Sequence, residues 1–339
     1  MADTLDLTHE VVAPPEDASS IIRQRAWTAD DLADRSWVLE IDPPALDELH
    51  GLIATLRAKP LPLLLRTPDG MAIPHLRKLY AHAKDRLDQG PGFVVLDRLP
   101  IDDYDIDEIL ACYWILGQLL APTVAQKWDG TMIYDVTDTK QAYSYGVRGS
   151  ATNVELVFHT DNAFGARVPD YVGLLCKYPA ATGGLSRFCS LYALHDRLER
   201  AHPAALRRLY QPMYFDRQAE HPSDAAKISF APFFSWRDGR LMCRANSSLV
   251  QKGHDVAGVP MDPGLEAALD AVDHVTKSDD LWVEAPLERG QVQYLNNHEL
   301  GHYRSAFTDG DDPTKKRHLY RLWHRSEGDR TYDGRMATS

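Results

Sequence analysis

The sequence predicts an α+β protein with a β-rich core and a helical flank on its N-terminal side. Two observations support this prediction. Between about residues 43 and 120, apolar residues recur every three or four positions, which is the spacing of amphipathic helices. From about residue 130 to residue 325, short strand-like runs alternate with turns rich in Gly, Pro, Asn and Asp. Many short strands with regular turns are typical of a sandwich or a barrel.

The helical flank contains three predicted helices and one strand. Apolar spacing predicts helices over 43–59 and 73–92, and the second ends on Gly-Pro-Gly, a strong stop signal. The run GFVVLDRL (92–99) predicts a strand. The run 105–120 predicts a buried helix. Acidic residues lie in its first turn, where the helix dipole favours them. We expect these helices to pack on the outside of the β-structure.

The β-rich part is predicted from runs of apolar and aromatic residues that are bounded by turn residues. These runs are TMIYDV, NVELVFHTD, DYVGLLCKY, SRFCSL, ISFAPFFSW, RLMCRA, LWVEAPL, VQYLN and HLYRLWH. One helical insertion, at about 191–210, is predicted between them. We expect residues 1–20, which are polar and contain proline, to be flexible, and residues 21–339 to form a single domain.

Composition and charge limit the classes of function. The chain has 339 residues, with 44% hydrophobic and 25% charged residues, which are ordinary values for a globular protein. A formal net charge of −12 argues against a nucleic-acid or anionic-membrane partner, since both require a basic face. Four cysteines without a CxxC pair are expected to be reduced core residues. No secretory signal or membrane span is recognisable, so we expect a cytoplasmic protein that acts on a small molecule.

The segment FHTDNAF (158–164) carries the first indication of chemistry. In a regular strand, His159 and Asp161 point to one face together with Glu155 and Val157. Buried charges need a paired charge or a metal ion. An HxD triplet alone is a weak signal, so its meaning depends on a third ligand elsewhere in the chain.

That third ligand has candidates near the C-terminus. The segment YLNNHELGHYRSAFTD (294–309) contains His298 and His302. Two histidines and one carboxylate form the facial triad of non-haem Fe(II) oxygenases and leave open positions for cosubstrate and O2. If the cosubstrate is 2-oxoglutarate, its distal carboxylate needs a planar, two-pronged cation, and arginine fits this role better than lysine. Arg317 and Arg321 follow at a suitable distance.

The chain resembles the taurine dioxygenase/clavaminate synthase-like family of Fe(II)- and 2-oxoglutarate-dependent oxygenases. FHTDNAF resembles the HxD/E strand of that family, and GGLS (183–186) resembles its Gly-Gly-x-Thr/Ser turn. NNHELGHYRSAF resembles its distal-histidine segment, and RHLYRLW resembles its arginine strand. These motifs occur in the family's order over roughly residues 90–325. The resemblance implies a double-stranded β-helix (jelly-roll) core with flanking helices.

The resemblance also implies a set of site residues. His159, Asp161 and His302 would ligate Fe(II). His302 is preferred to His298 because Tyr303, Arg304 and Phe307 complete the x-Arg-x-x-Phe pattern after it. Arg317 would bind the distal carboxylate of 2-oxoglutarate, and Ser186 would donate a hydrogen bond to it. Arg321 would support 2-oxoglutarate or bind an acidic group of the substrate, and a surface salt bridge is the alternative.

The substrate pocket is less constrained. Glu155 is predicted to point inward, where it could bind a substrate amine, and a salt bridge to Arg148 or to another arginine of the barrel is the alternative. The polar segment 141–153 resembles a pocket loop, and its candidate substrate contacts are Tyr143, Tyr145, Arg148 and Asn153.

We therefore expect a dioxygenase that hydroxylates an unactivated C–H bond of a small polar metabolite and releases succinate and CO2. An amino acid or an amino-acid-derived natural-product intermediate fits best, and a sulfonate or aryloxy acid is the competing class. Desaturation or cyclisation could replace hydroxylation at the same centre. A cupin-like metal protein that does not use 2-oxoglutarate, and a sugar-binding jelly roll, are the alternatives from other classes. The sequence leaves the oligomeric state open.

Overall fold

The structure is a computed structural model that describes residues 4–10, 13–142 and 147–334. Its helices are α1 Ala18–Arg25, α2 Pro43–Ala58, α3 Pro74–Asp88, α4 Ile106–Gly117, α5 Leu191–Ala201, α6 Pro203–Leu209, α7 Ser247–Ala257 and α8 Pro263–Thr276. Its strands up to residue 190 are β1 Thr4–Asp6, β2 Val38–Glu40, β3 Phe93–Asp97, β4 Thr123–Val124, β5 Tyr134–Thr137, β6 Leu156–His159, β7 Tyr171–Tyr178, β8 Thr182–Gly183 and β9 Ser186–Ser190. The later strands are β10 Met213–Asp216, β11 Ile228–Ala231, β12 Phe234–Arg237, β13 Arg240–Cys243, β14 Trp282–Glu284, β15 Val292–Asn296, β16 Leu300–Arg304, β17 Phe307–Thr308 and β18 His318–His324.

Two sheets form the jelly-roll core that the sequence predicts. The larger sheet has the order β2-β3-β15-β7-β18-β4, and β5 also pairs with β18. The smaller sheet has the order β14-β9-β16-β6. The rings of Phe93 on β3 and Phe188 on β9 stack with their centres 4.5 Å apart, so the inner faces of the two sheets meet. Neighbouring strands are mostly distant in sequence, as expected for a jelly roll rather than a meander.

The continuous apolar run of β3 is explained by burial on both faces. Phe93 and Val95 belong to the core between the sheets, whereas Val94 and Leu96 pack with α2, α3 and α4 on the outer face of the larger sheet. A strand that is buried on both sides loses the alternation of polar and apolar residues. The predicted helices are present and pack outside the β-structure, as expected. Helix α2 begins at Pro43, and the Asp42 carboxylate caps it by accepting a hydrogen bond from the Ala45 amide at 2.9 Å.

The helical insertion predicted at about 191–210 is present, but the described part of the β-rich region contains further helices as well. The segment 191–210 forms two helices, α5 and α6, separated at His202–Pro203. Helices α7 and α8 were not predicted. The sequence of α7 contains Gly253 in its interior, where a Cβ atom would lie 2.5 Å from the Tyr214 carbonyl oxygen, so packing against β10 requires this glycine. Helix α8 carries an apolar pattern at helical spacing, with Leu265, Leu269 and Val272 buried, so the sequence does contain a signal for it.

Other expectations about the chain can be compared with the structure. The strand Thr4–Asp6 lies in the segment predicted to be flexible and pairs in parallel with β11. All four cysteines are free and buried, as predicted. None of the described helices is long and apolar enough to cross a membrane.

A buried histidine at the end of β18 predicts acid sensitivity. His324 is fully buried, its Nδ1 donates to the Ala121 carbonyl oxygen at 3.0 Å, and its Nε2 has no hydrogen-bond partner among the described residues. Burial lowers the pKa of His324 from 6.5 to about 4. Between these values the unfolded chain binds a proton that the folded chain does not, so stability falls as the pH is lowered from 6.5 towards 4, by on the order of 3 kcal/mol for this residue.

We expect His324→Gln to reduce this pH dependence, because glutamine stays neutral. The measurement is the free energy of unfolding in urea at pH 7, 5.5 and 4.5. His75→Gln, at an exposed position on α3, is the control and should leave the slope unchanged. Equal slopes in His324→Gln and the unsubstituted protein would contradict this role of His324.

Candidate active site

Three side chains from two distant segments of the chain meet between the two sheets. His159 ends β6, and it lies directly opposite His302 of β16 in the antiparallel register. The two imidazole rings have their centres 4.2 Å apart. Asp161 Oδ1 lies 3.8 Å from His159 Nε2 and 3.7 Å from His302 Nε2. One ligand atom from each residue falls within 4.8 Å of the others, so the three can meet at one metal ion.

Asp161 does not lie in the strand, so the prediction that it shares one strand face with His159 by alternation of side chains is wrong. Strand β6 ends at His159, and Asp161 belongs to the turn that follows. The side chain of Asn297 holds this turn, since its Oδ1 accepts from the Asp161 amide at 2.7 Å and its Nδ2 donates to the Asp161 carbonyl at 2.9 Å. Asn297 is completely buried. The carboxylate therefore reaches the histidines through a turn that a residue 136 positions away fixes in place.

The two oxygens of Asp161 have different partners. Oδ2 accepts from Trp323 Nε1 at 2.8 Å and lies 3.0 Å from Arg321 Nη1, whereas Oδ1 faces the histidines. Burial alone raises the pKa of Asp161, but the charge of Arg321 and the proximity of His302 outweigh it and hold this pKa well below its usual range. The carboxylate is therefore ionised and presents one oxygen to the space between the imidazoles.

The protonation state of His159 also suits a metal. Its Nδ1 donates to the Val157 carbonyl oxygen at 2.7 Å, so Nε2 carries the lone pair that faces His302 and Asp161. Burial, and then the neighbouring His302, lower the pKa of His159 to about 3, so the ring is neutral at physiological pH. Neutral imidazole and carboxylate are the ligands that a non-haem Fe(II) centre requires. The residues present therefore fit the metal that the family resemblance implies.

Arg317 forms the inner end of the same cavity. Its guanidinium is buried, it packs against the Phe307 ring at 5.0 Å, and its Nη1 has no hydrogen-bond partner within the described chain. Burial lowers the pKa of Arg317 to about 10. A cation that is buried in this way needs an anion, and Ser186 lines the cavity beside it. The arrangement fits the distal carboxylate of a 2-oxo dicarboxylic acid.

The Gly-Gly turn before Ser186 makes this arrangement possible. Gly183 and Gly184 have φ angles of +73° and +66°, which strongly favour glycine. A Cβ atom on Gly184 would lie 2.8 Å from Arg317 Nε, and one on Gly183 would lie 2.1 Å from the Ala306 carbonyl oxygen. The turn can therefore approach both the arginine and the segment that follows β16 only because neither residue has a side chain.

The metal triad and the inner arginine open into a cavity of about 230 Å³. Glu155 lines this cavity, as predicted, and accepts a hydrogen bond from the Tyr303 hydroxyl. The proposed pair between Glu155 and Arg148 is wrong, because Arg148 instead forms a buried ion pair with Glu220. Arg148 still lines the cavity, whereas Asn153 is exposed and does not. Tyr143 and Tyr145, the other predicted substrate contacts, lie outside the described residues.

Two further predicted residues can be placed. Arg321 is buried, so the surface salt bridge that was its alternative role is wrong. Its Nε donates to Gln126 Oε1 at 2.8 Å while Nη1 contacts Asp161, and the guanidinium lines the cavity. His298, the rejected distal histidine, lies outside the triad and pairs with Asp170 at 3.0 Å.

Some residues of the site were not recognised in the sequence. Trp323 lies in the predicted strand HLYRLWH and is buried, and its indole donates to Asp161. A signal for it existed, because alternate residues of one strand share a face, and Arg317, Leu319, Arg321 and Trp323 all line the cavity. Asn297 and Gln126 have no comparable sequence signal, since each acts through a contact with a distant segment.

Comparison with known proteins shows the family of the chain. The family model described as taurine catabolism dioxygenase TauD, TfdA family, matches residues 57–323. Fold and site together define the class of non-haem Fe(II)- and 2-oxoglutarate-dependent dioxygenases. The chain belongs to the TauD, TfdA family of these enzymes.

Individual relatives are more distant. The FR-33289 synthase of Streptomyces rubellomurinus is 27% identical over 282 residues, which cover 80% of each chain. An asparagine oxygenase solved with Fe(II), 2S,3S-3-hydroxyasparagine and succinate superposes with a TM-score of 0.64 at 19% identity, over 86% of this chain and 94% of that one. The non-haem iron oxygenase OrfP, solved with Fe, succinate and (3S)-hydroxy-L-Arg, gives a TM-score of 0.64 at 18% identity, over 89% of this chain and 98% of that one.

Proposed function

We propose that this protein hydroxylates an unactivated C–H bond of a small polar metabolite, namely an amino acid or an amino-acid-derived natural-product intermediate. The convergence of His159, Asp161 and His302 beside a buried, unpaired Arg317 is the observation that carries the proposal. Two of the similar solved structures contain hydroxylated amino acids, which supports this substrate class. The reaction would convert substrate, 2-oxoglutarate and O2 into hydroxylated product, succinate and CO2.

The described residues divide this task between them. His159, Asp161 and His302 would hold Fe(II), while Arg317 and Ser186 would bind the distal carboxylate of 2-oxoglutarate. When bound, the iron and the 2-oxo acid supply the activation of O2. Arg321 and Trp323 hold Asp161 Oδ2, so that Oδ1 stays turned towards the histidines. The protein therefore orients its ligands before the metal arrives, which reduces the reorganisation needed in the reaction.

The remaining wall of the cavity would bind the substrate. Glu155 forms no ion pair with any described cation, and its hydrogen-bond partner among the described residues is the neutral hydroxyl of Tyr303. Burial, and then the hydrogen bond to Glu155, raise the pKa of Tyr303 to about 12, so the phenol remains protonated. The Glu155 carboxylate is thus available to a substrate ammonium group at the cavity mouth. The contact of Arg321 with an acidic group of the substrate stays a prediction.

A substrate screen tests the proposal. Purified protein with Fe(II), 2-oxoglutarate and O2 is supplied with single amino acids and related metabolites, and succinate release is measured. We expect one or a few compounds to stimulate release well above the rate without substrate, and mass spectrometry should show a gain of one oxygen atom. A product that lacks two hydrogens would instead indicate desaturation or ring closure. A protein that binds Fe(II) but not 2-oxoglutarate would contradict the proposal and favour a cupin-like metal protein.

Glu155 gives a separate prediction about the substrate. We expect Glu155→Gln to raise the KM for an amine-bearing substrate by about tenfold, because a hydrogen bond between charged groups is replaced by a weaker neutral one. The KM for 2-oxoglutarate should stay unchanged. Glu284→Gln is the matched control, since Glu284 pairs with Arg187 and does not line the cavity. An unchanged substrate KM in Glu155→Gln would assign Glu155 a structural role with Tyr303.

A further inference from the structure

A second buried arginine lies at the inner end of the cavity. Arg304 is two residues after His302 on β16, so both side chains point to the same face of the strand. Its partner across the smaller sheet is Ser186, which already belongs to the inner end. The guanidinium carbons of Arg304 and Arg317 each lie 5.0 Å from the centre of the Phe307 ring. Phe307 therefore contacts both cations, and both line the cavity.

The two arginines leave several N–H groups without acceptors. Arg304 Nη2 donates to the carbonyl oxygens of Thr152 at 2.9 Å, Gly149 at 3.4 Å and Val154. Arg304 Nε and Nη1, and Arg317 Nη1, have no hydrogen-bond partner among the residues that the structure describes. All three nitrogens are buried. Arg304 thus uses Nη2 to hold the segment before β6 and leaves Nε and Nη1 without an acceptor among the described residues.

No described carboxylate forms an ion pair with either guanidinium. Asp309, whose charge acts on Arg317, uses its Oδ1 to accept from the backbone amide of Arg317 at 2.8 Å. Asp138, whose charge acts on Arg304, is paired with Lys140 at 2.6 Å. Arg304 is only 6% exposed and Arg317 only 4%, so water compensates little of their charge. Two like charges that are buried together and short of acceptors are unfavourable unless an anion binds between them.

We propose that Arg304 is a second cation for the distal carboxylate of 2-oxoglutarate, acting with Arg317 and Ser186 as a two-arginine clamp. Its consequence is specificity: the clamp would favour a 2-oxo dicarboxylic acid over a 2-oxo monocarboxylic acid of the same chain length. The inference rests on the proposed function, because it assigns a further binding residue to the same cosubstrate. Among the described residues, Arg304 makes no hydrogen bond or ion pair with His159, Asp161, His302 or Glu155.

The purely structural alternative is that Arg304 only anchors the segment 149–154 through its Nη2 contacts. The two roles use different nitrogen atoms of the guanidinium and therefore predict different results. An anchoring role predicts a change in thermal stability without a change in cosubstrate preference. A clamp role predicts a loss of affinity that is confined to ligands with a distal carboxylate.

The test measures binding rather than turnover. Mn(II)-loaded protein is titrated by calorimetry with 2-oxoglutarate and with 2-oxopentanoate, which has the same five-carbon chain but no distal carboxylate. The Kd of 2-oxopentanoate divided by the Kd of 2-oxoglutarate measures how strongly the protein prefers a ligand with a distal carboxylate. We expect Arg304→Gln to reduce this ratio by about tenfold or more, as the loss of a charge-assisted hydrogen bond predicts, with the Kd of 2-oxopentanoate nearly unchanged. Arg187→Gln is the control. Arg187 follows Ser186 on β9, but its side chain pairs with Glu284 outside the cavity.

A ratio that is unchanged in Arg304→Gln, while the unsubstituted protein still prefers 2-oxoglutarate, would overturn the clamp and leave the proposed function intact. Failure of the unsubstituted protein to bind 2-oxoglutarate at all would overturn both. If Arg304→Gln does not fold, Arg304→Lys serves instead. One ammonium group cannot both hold the segment before β6 and bind a carboxylate as the planar guanidinium can, so the ratio should fall at least threefold. An unchanged ratio in Arg304→Lys would count against the clamp.

Discussion

Replacing Asp161 with alanine is expected to lower succinate formation by at least about 10³-fold, which corresponds to about 4 kcal/mol of activation free energy. The substitution removes the oxygen that faces both imidazoles, so iron binding should weaken as well. It also leaves Arg321 without its carboxylate partner at 3.0 Å. Breaking a buried ion pair by removing one partner typically costs about 3–5 kcal/mol, so the variant should also unfold at lower denaturant concentration.

The comparison with His159→Ala separates these two effects. This variant should lose turnover to a similar extent, but it leaves the pair between Asp161 and Arg321 intact and should lose less stability. Asp170→Asn is the control, because it alters a contact with His298 Nε2 at 3.0 Å outside the cavity and should keep its turnover. The measurements are succinate formation, bound iron and urea unfolding. Normal succinate formation by an iron-loaded Asp161→Ala or His159→Ala variant would refute the ligand assignment.

The second large effect is expected from Arg317→Lys. The substitution keeps a positive charge but replaces a planar fork with one ammonium group, so the distal carboxylate loses its paired hydrogen bonds. We expect the KM for 2-oxoglutarate to rise by about 10- to 100-fold, with a much smaller change in the KM for the substrate. Lysine is also a poor replacement for the contact of the guanidinium with the Phe307 ring.

Arg289→Lys is the matched control for this experiment. Arg289 pairs with Asp102 away from the cavity, so the same change of residue there should leave both KM values unaltered. The measurement is the initial rate of succinate formation, with either 2-oxoglutarate or substrate varied. If Arg317→Lys keeps the normal requirement for 2-oxoglutarate, the role belongs to Arg321 or Arg304 instead.

Much of the site was predictable because its chemistry depends on residue types in a set order. The HxD segment, the distal histidine and the following arginines appear in the sequence as FHTDNAF, NNHELGH and RHLYRLW. The helices of the flank were predictable too, because their apolar spacing is local. Helix α7 was missed, since Gly253 weakens the local helical signal and only its packing against β10 explains it.

The partners of the ligands were not predictable from sequence in the same way. The surface salt bridge suggested for Arg321 and the pair suggested for Glu155 and Arg148 were both wrong, because a charged residue pairs with whatever the fold brings near it. Arg321 forms an ion pair with Asp161, and Arg148 forms one with Glu220. Arg304 served in the sequence only to mark the distal histidine, and its buried, half-satisfied guanidinium became visible only in the fold.

The sequence by itself determined which groups are available for chemistry: two imidazoles and a carboxylate for a metal, and arginines for an anion. Tertiary structure alone decided how they are oriented. Asn297 fixes the Asp161 turn, while Arg321 and Trp323 occupy one carboxylate oxygen and leave the other to face the histidines. Such orientation depends on contacts between segments more than 100 residues apart in the chain, as with the 136 residues that separate Asp161 from Asn297. No local pattern encodes those contacts, because they exist only once the two sheets have packed together.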